Sequence, residues 1–373
     1  MDALKSLSRE HYAVGWVAAL SIELAAAAAM LDEVHEKPFD FDPPPNDTNS
    51  YTWGKIAQHN IVIANLPAGR YGTTSAANVA VNMLNSFPEI RFGLLVGIAA
   101  GMPSEGIDIR LGDVVVSQPS TRSGGVIAYD LKKSLAGGET ELIGFLNSPP
   151  RALLDAVDLL KSKHETHSGV PDHLEAMIQK YPMLGEASPE RPSYTYQGRE
   201  NDRLFNSEYD HISGANCDEC DSEQQVQREE RQSLDPVVHY GIIASGNTLV
   251  KSAAAREAIR RDCDDDCICL EMEAAGLMND FPCLVIRGIC DYADSHKNDR
   301  WQRYAAATAA AYAKDLLGVI PAREVEETVR AAITTLAMPH KEPVGYSQIR
   351  SLLKGCFKNV LFLLLLLFLL LLK

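Results

Sequence analysis

Positive charge is what this chain is short of: 35 Lys and Arg stand against 50 Asp and Glu, a net charge of −15 over 373 residues. No stretch gathers enough Lys and Arg to offset that field against a phosphate backbone, which argues against unspecific nucleic-acid binding. A secretory signal pattern is also missing, since residues 1–12 are polar. Cysteine is sparse, eight residues in all, and Cys267, Cys269, Cys283 and Cys290 fall inside apparent strands. They read as reduced core thiols of an intracellular, cytoplasmic protein rather than as a disulfide framework. Internal repeats are absent. What remains, 46% hydrophobic and 23% charged residues, is the composition of a globular protein with one large domain and extensions.

One long hydrophobic run breaks this pattern. Residues 360–372 are thirteen consecutive apolar positions, almost all Leu, flanked by Lys354, Lys358 and Lys373. As a helix they cover roughly 20 Å, short of the ~30 Å hydrocarbon core of a bilayer. Three readings stay open: a short anchor giving membrane contact, a partner-binding tail, or sequence from a truncated gene model.

Upstream, strand and helix patterns alternate. Residues 13–20 form an apolar strand and 22–32 an Ala-rich helix; 40–50, with three consecutive Pro, is a loop. Residues 51–57 and 60–66 predict a hairpin around Gln58 and His59, and a helix capped near Thr73 and Thr74 runs to 85. Residues 92–98 predict a buried strand that ends in a flexible Gly97-Ile98-Ala99-Ala100-Gly101 turn, with a further strand at 113–117. Beyond it, 119–236 is polar apart from a helix near 151–163, and reads as a partly mobile insertion. Order returns at 239–244, and 301–317 and 322–336 read as helices, the first amphipathic. The expected segments are therefore a polar start (1–12), a domain (13–320) containing the insertion, a helical linker (321–359) and the Leu-rich tail (360–373). Such alternation implies an α/β protein with a mostly parallel sheet covered on both faces.

Two acidic clusters, Glu271-Met272-Glu273 and Asp291, each close a short apolar run, 267–270 and 283–289. A carboxylate just past a buried strand projects into the crevice where open α/β sheets bind ligands. The segment between the runs, 274–279, reads as a short helix that lets both strands run parallel in one sheet.

Five segments then carry a family likeness: 14–23, ending Ser21-Ile22-Glu23; 97–101, followed by Leu111-Gly112-Asp113 and on to 117; 241–247, ending Ser245-Gly246-Asn247; Leu270-Glu271-Met272-Glu273-Ala274-Ala275; and 287–294, with Gly288-Ile289-Cys290-Asp291-Tyr292-Ala293-Asp294. In their order and spacing the chain resembles the nucleoside phosphorylase superfamily, in particular its purine nucleosidase branch. Its nearest likeness is to the N-terminal domains of fungal multidomain signalling proteins, which often continue into a nucleotide-binding oligomerisation module. The resemblance implies a three-layer α/β/α fold with a central mixed, mostly parallel sheet, a homo-oligomer, and no organic cofactor or metal.

It also implies roles for residues. Cleaving a purine N-glycoside needs a proton for a poor leaving group and a nucleophile on the far side of an oxocarbenium-like sugar, a division two carboxyl groups can make. Asp291 maps to the acid that protonates purine N7; taken alone it reads as a turn or cap aspartate. Glu273 maps to the carboxylate that holds the ribose hydroxyls, with Met272 packed on the sugar, and a charged Glu between Met272 and Ala274 is costly to bury without a polar partner. Glu23 maps to the carboxylate that activates water; locally it is an acidic residue in a first helical turn, favoured by the helix dipole. Glu271 reads as a secondary, solvated residue.

Ala99, Ile98, Leu249, Val250 and Ser245 complete the expected pocket. Leu249 stands where many nucleosidases stack an aromatic ring, and Asn247 takes the place of a common Asp. A phosphorylase needs an anion site, usually Arg and Ser beside backbone N–H groups. Residues 21–25 contain no Arg, Ile98 stands where a hydroxyl is common, and Glu23 repels phosphate, so water is the expected nucleophile. Arg70, in a Gly-rich turn, is expected to bind substrate and could contact substrate phosphates, which would admit a nucleotide such as ATP. A phosphate-dependent phosphorylase and a nucleoside-sensing module without turnover are the alternatives. Cys217-Asp218-Glu219-Cys220 has CxxC spacing with His211 nearby, but zinc wants four ligands and no second CxxC or paired His lies close in sequence. These cysteines read as surface thiols in a mobile insert, and His296 as a rim residue.

Overall fold

A computed structural model of the chain describes residues 4–332, apart from 139, 189 and 265. The Leu-rich run and the part of the expected linker beyond 332 lie outside the described residues. In chain order the elements are β1 (Val14–Ala18), α1 (Ser21–Ala29), β2 (Glu33–His35), β3 (Tyr51–Ile56), β4 (His59–Asn65), α2 (Thr73–Ser86), β5 (Phe92–Gly101), β6 (Val114–Ser117), β7 (Val126–Ala128), β8 (Lys132–Ser134), β9 (Thr140–Leu142), α3 (Arg151–His164), α4 (Val170–Lys180), β10 (Val238–Ser245), α5 (Ala253–Asp262), β11 (Cys267–Glu271), β12 (Cys283–Asp291), α6 (Gln302–Val319) and α7 (Ala322–Glu327). None of these helices is long and apolar enough to cross a membrane.

Among the described residues ten strands form one sheet, ordered β11-β10-β6-β12-β5-β1-β4-β3-β2 with β7 beside β10. Its central pairs, β12 with β5, β5 with β1 and β1 with β4, are parallel, whereas β6 with β12 and β4 with β3 are antiparallel. Each central strand is buried on both faces, which is why it reads as an unbroken apolar run. On β5, Phe92, Leu94 and Val96 face α1, α3, α4 and α6, while Leu95 and Ala99 face the layer of α2. The α/β/α architecture with a mixed, mostly parallel sheet is thus the observed one.

Several local expectations change. β11 is antiparallel to β5, and therefore to β12, so the two strands bearing the carboxylates run in opposite directions. A parallel return needs a crossover of about a dozen residues or more, usually a helix, and the link here holds only the single turn Ala274–Gly276. Residues 97–101 are not a turn: they extend β5, with Ala100 and Gly101 pairing with Leu270 and Cys269. The insertion contributes to the core, because α3 and α4 pack against α6 and bury Leu153, Val157, Leu160, Val170 and Met177 in the cluster they share with it. Held between these helices and the sheet, α6 is buried nearly all round rather than amphipathic. The α2 N-cap is Gly72 at φ 96°, and a side chain from elsewhere supplies the cap, since Thr73 N–H donates to Asn247 Oδ1 at 3.1 Å. α7 stops at Glu327, and residues 328–330 interrupt the helix expected over 322–336, whose last four positions lie outside the described residues.

Candidate active site

The site grows from one residue that the apolar pattern hides. Arg287 lies in the middle of β12 with 1% of its surface exposed. A buried guanidinium is tolerated only with carboxylate partners and filled donor sites. Its Nη2 donates to Glu271 in a very short contact and to Glu273 Oε2 at 3.3 Å, and its Nη1 reaches the Ile98 carbonyl at 3.4 Å. Glu271 closes β11 and is itself gripped by the N–H groups of Glu273 (3.0 Å) and Ala274 (3.0 Å). It is therefore a buried organising carboxylate, not the solvated residue the sequence suggests.

Glu23 arrives from the first turn of α1. Its Oε2 accepts from the N–H groups of Ala19 (2.6 Å) and Leu20 (2.9 Å), and its Oε1 from Ile98 N–H (2.8 Å), so one side chain ties β1, α1 and β5 together. Gly97 makes this possible: a Cβ there would sit 2.5 Å from both Arg287 Nη1 and Glu23 Oε1. Burial raises the pKa of Glu23 above the ordinary carboxylate value, against the opposing pull of Arg287 and the three N–H groups.

Glu273 also accepts from Gly72 N–H at 3.3 Å. Burial pushes its pKa up to about 7; Arg287 opposes the shift, and Glu271 and Glu23 reinforce it. A carboxylate whose folded pKa is raised weakens the fold as pH climbs from its unfolded value through its folded one, here from about 4.5 to about 7. Glu273→Gln is therefore expected to raise Tm by a few degrees at pH 8, roughly 1–2 kcal/mol, and to leave it unchanged near pH 4. Thermal scans at both pH values check this, and an equal gain at pH 4 would refute the charge argument.

Asp291 ends β12, four residues beyond Arg287, and is 4% exposed. Its Oδ1 accepts from Ala293 N–H at 2.9 Å, and its Oδ2 pairs with Lys297 Nζ at 2.9 Å. Burial works against the Lys297 ammonium, but Asp291, with Cys290 and Asp299 beside it, outweighs burial and lifts its pKa. Lys297, like Arg287, escaped the sequence reading; a Lys six residues past a strand-end Asp is too common a spacing to signal a pair.

A cavity of about 420 Å³ joins the two centres and is lined by Glu23, Ile98, Ala99, Met272, Glu273 and Asp291, and by Leu249 and buried Val250. That size and mixture of apolar walls with a few convergent polar groups suits a small organic ligand. Leu249 is 59% exposed. Two expected members fall elsewhere. Ser245 is fully buried, and its Oγ accepts from Ala275 N–H at 2.8 Å, so it serves the backbone turn after Glu273. Arg70 is exposed in the turn before α2 and does not line the cavity, whereas its neighbour Tyr71 and the Lys251 side chain do. His296 is 5% exposed and stacked on Phe205 with ring centroids 4.0 Å apart, so it is no rim residue. Cys217 and Cys220 are buried as well, not surface thiols.

Comparison with known proteins shows what the chain as a whole is similar to. The chain is 45% identical over 317 residues to a nucleotide-binding leucine-rich repeat (NLR)-like protein of Hyaloscypha variabilis, a match covering 84% of this chain and 30% of that protein. It is 36% identical over 86 residues to the ATP nucleosidase Cap17 of Escherichia coli, covering 22% of this chain and 17% of the relative. The chain thus spans less than a third of the length of the curated relatives it matches. Among solved structures, the 5′-methylthioadenosine/S-adenosylhomocysteine nucleosidase of Neisseria meningitidis, in complex with methylthio-immucillin-A, superposes with a TM-score of 0.51 at 17% identity, covering 82% of this chain and 98% of that one. No protein-family model matches the chain.

Proposed function

We propose that this chain, which shares the fold of a 5′-methylthioadenosine/S-adenosylhomocysteine nucleosidase, is a purine nucleoside N-ribosylhydrolase. Its substrates are adenosine-like nucleosides or nucleotides, and its products are the free base and ribose or ribose phosphate. The observation that carries the reading is the pairing, across one cavity, of the Glu23–Glu273–Arg287 cluster with Asp291. On β12, Arg287 and Asp291 are four residues apart, about 13 Å of strand at ~3.3 Å per residue, enough for a sugar and a base side by side.

In this reading Glu273 accepts hydrogen bonds from the ribose diol and Met272 packs on the ring. Glu23, aimed by three backbone N–H groups, takes a proton from water as its oxygen bonds to C1′. The C1′–N9 bond breaks with its electron pair going to the purine, and protonated Asp291 gives its proton to N7, leaving a carboxylate that the Lys297 ammonium, 2.9 Å away, stabilises. A raised pKa at Glu23 brings the base nearer to neutral working conditions. Water is favoured over phosphate because Arg287 is committed to Glu271 and Glu273, and three clustered carboxylates repel an anion. Lys251, lining the cavity beside exposed Leu249, favours a nucleotide over a bare nucleoside, in line with the ATP nucleosidase likeness.

Purified protein incubated with adenosine, inosine and ATP, with and without phosphate, decides the matter by chromatography. Free base released without phosphate is the expected outcome. Strict phosphate dependence would establish the phosphorylase instead. Tight binding with no base released would mark a sensing module, a role suggested by the NLR-like relative.

A further inference from the structure

Between α4 and β10 the chain runs for 57 residues, 181–237, and the described part holds only 3-10 turns and isolated bridges. A segment of that length without helix or strand normally needs another kind of fastening. Its first part leans on the main core through Tyr181, Leu184 and Tyr194, and on Trp301 and Tyr304 through Tyr196; further on, its apolar support is a small separate cluster of Phe205, Cys217 and Cys220, with Tyr209 against it. At that point His211, Cys217 and Cys220 converge, one ligand atom of each lying within 4.8 Å of the others. We propose that these three residues bind a zinc ion that staples the insertion to the loop carrying Asp291 and Lys297.

The donor set is the argument for the metal. Two thiols and an imidazole are the ligands of structural zinc, and CxxC spacing lets one tight turn present both sulfurs. That turn is made here, with Cys220 N–H donating to the Cys217 carbonyl at 3.2 Å. The Nε2 of His211 lies 2.9 Å from the Asn216 carbonyl, the second-nitrogen contact that fixes a ligating imidazole and leaves Nδ1 for the ion. Both cysteines are only 8% exposed, so the ion would be shielded from competing water. A fourth position remains for a water or for His296. Both of its ring nitrogens are buried without a hydrogen-bond partner among the described residues, and its ring centroid is 5.6 Å from that of His211.

The cluster sits against the site rather than apart from it. His211 N–H donates to Ser295 Oγ at 2.9 Å, Ser295 Oγ reaches Asp210 Oδ1 at 3.1 Å, and the Cys217 thiol points at the His296 carbonyl at 3.8 Å. A small cleft is lined jointly by Cys217, Asp291, His296 and Lys297. Zinc here would act by position, holding the 291–298 loop without touching substrate.

The test is metal analysis of the full chain, purified without chelator after expression in zinc-supplemented medium. About one zinc per chain is expected, and Cys217→Ser with Cys220→Ser should abolish it while Cys263→Ser, outside the cluster, retains it. Cobalt reconstitution should give thiolate-to-metal charge-transfer absorption in wild type and none in the double variant. A chelator should lower the wild-type Tm, which keeps the proposal testable if the double variant fails to fold. Wild-type protein with well under half an equivalent of zinc, no cobalt–thiolate absorption and a Tm unmoved by chelator would overturn it, as would a Cys217–Cys220 disulfide in protein purified under reducing conditions.

Discussion

Asp291→Asn should cut purine release by about 10²- to 10⁴-fold, the usual contribution of a positioned general acid, while substrate still binds. The substitution keeps the shape of the group: the Asn carbonyl can still accept from Ala293 N–H where Oδ1 now does. What it loses is the proton delivered to the leaving purine, and the carboxylate that, once the proton has gone, pairs with Lys297. Single-turnover base release, measured beside substrate binding by calorimetry, separates the two losses. Activity equal to wild type would end the assignment of Asp291 as the acid. Weakened binding with an unchanged turnover rate would place Asp291 in recognition alone.

The second large effect concerns the fold as much as the chemistry. Arg287→Met is expected to cost roughly 3–5 kcal/mol at pH 8, because it leaves partners of a buried ion cluster without their counter-charge. Glu271 and Glu273 both bond to Arg287, and Glu23 feels its field. Without the guanidinium the folded-state pKa values of Glu23 and Glu273, already raised by burial, should climb further above the unfolded value. Each such group destabilises above its unfolded pKa, and that cost fades as pH falls toward it, so the gap to wild type should narrow between about pH 8 and pH 4.5. Urea midpoints across that range are the measurement. A variant as stable as wild type at pH 8, or a gap independent of pH, contradicts the cluster described here.

Much of the frame was legible because it rests on local chemistry. Runs of apolar residues give β1, β5 and β12, the Ala-rich stretch gives α1, and the carboxylates at strand and helix ends mark a crevice. What escaped depends on partners distant in sequence. Arg287 acquires meaning only beside Glu271 and Glu273, and those contacts exist because β5 pairs with β12 on one edge and meets β11 near its end. The opposite directions of β11 and β12 are invisible locally, since strand direction is set by the connection and by neighbouring strands. β7 and α4 were lost in the polar insertion because three strand residues, and a helix burying only Val170 and Met177, leave little periodic signal. Ser245 and Arg70 were assigned by motif; the backbone claims the first, and the geometry of the turn before α2 turns the second outward.

The strand order carries a consequence for synthesis. β12 lies between β5 and β6, yet it leaves the ribosome more than 160 residues after β6. Until then β5 and β6 each keep an open edge where β12 will lie, the kind of edge that invites pairing with another chain. Glu23 meanwhile waits, from the first helix onward, for an arginine that arrives last. A chain stopped before β12 would lack Asp291, the guanidinium of Arg287 and a central strand at once, so the site is completed in a single late step instead of being built up piece by piece.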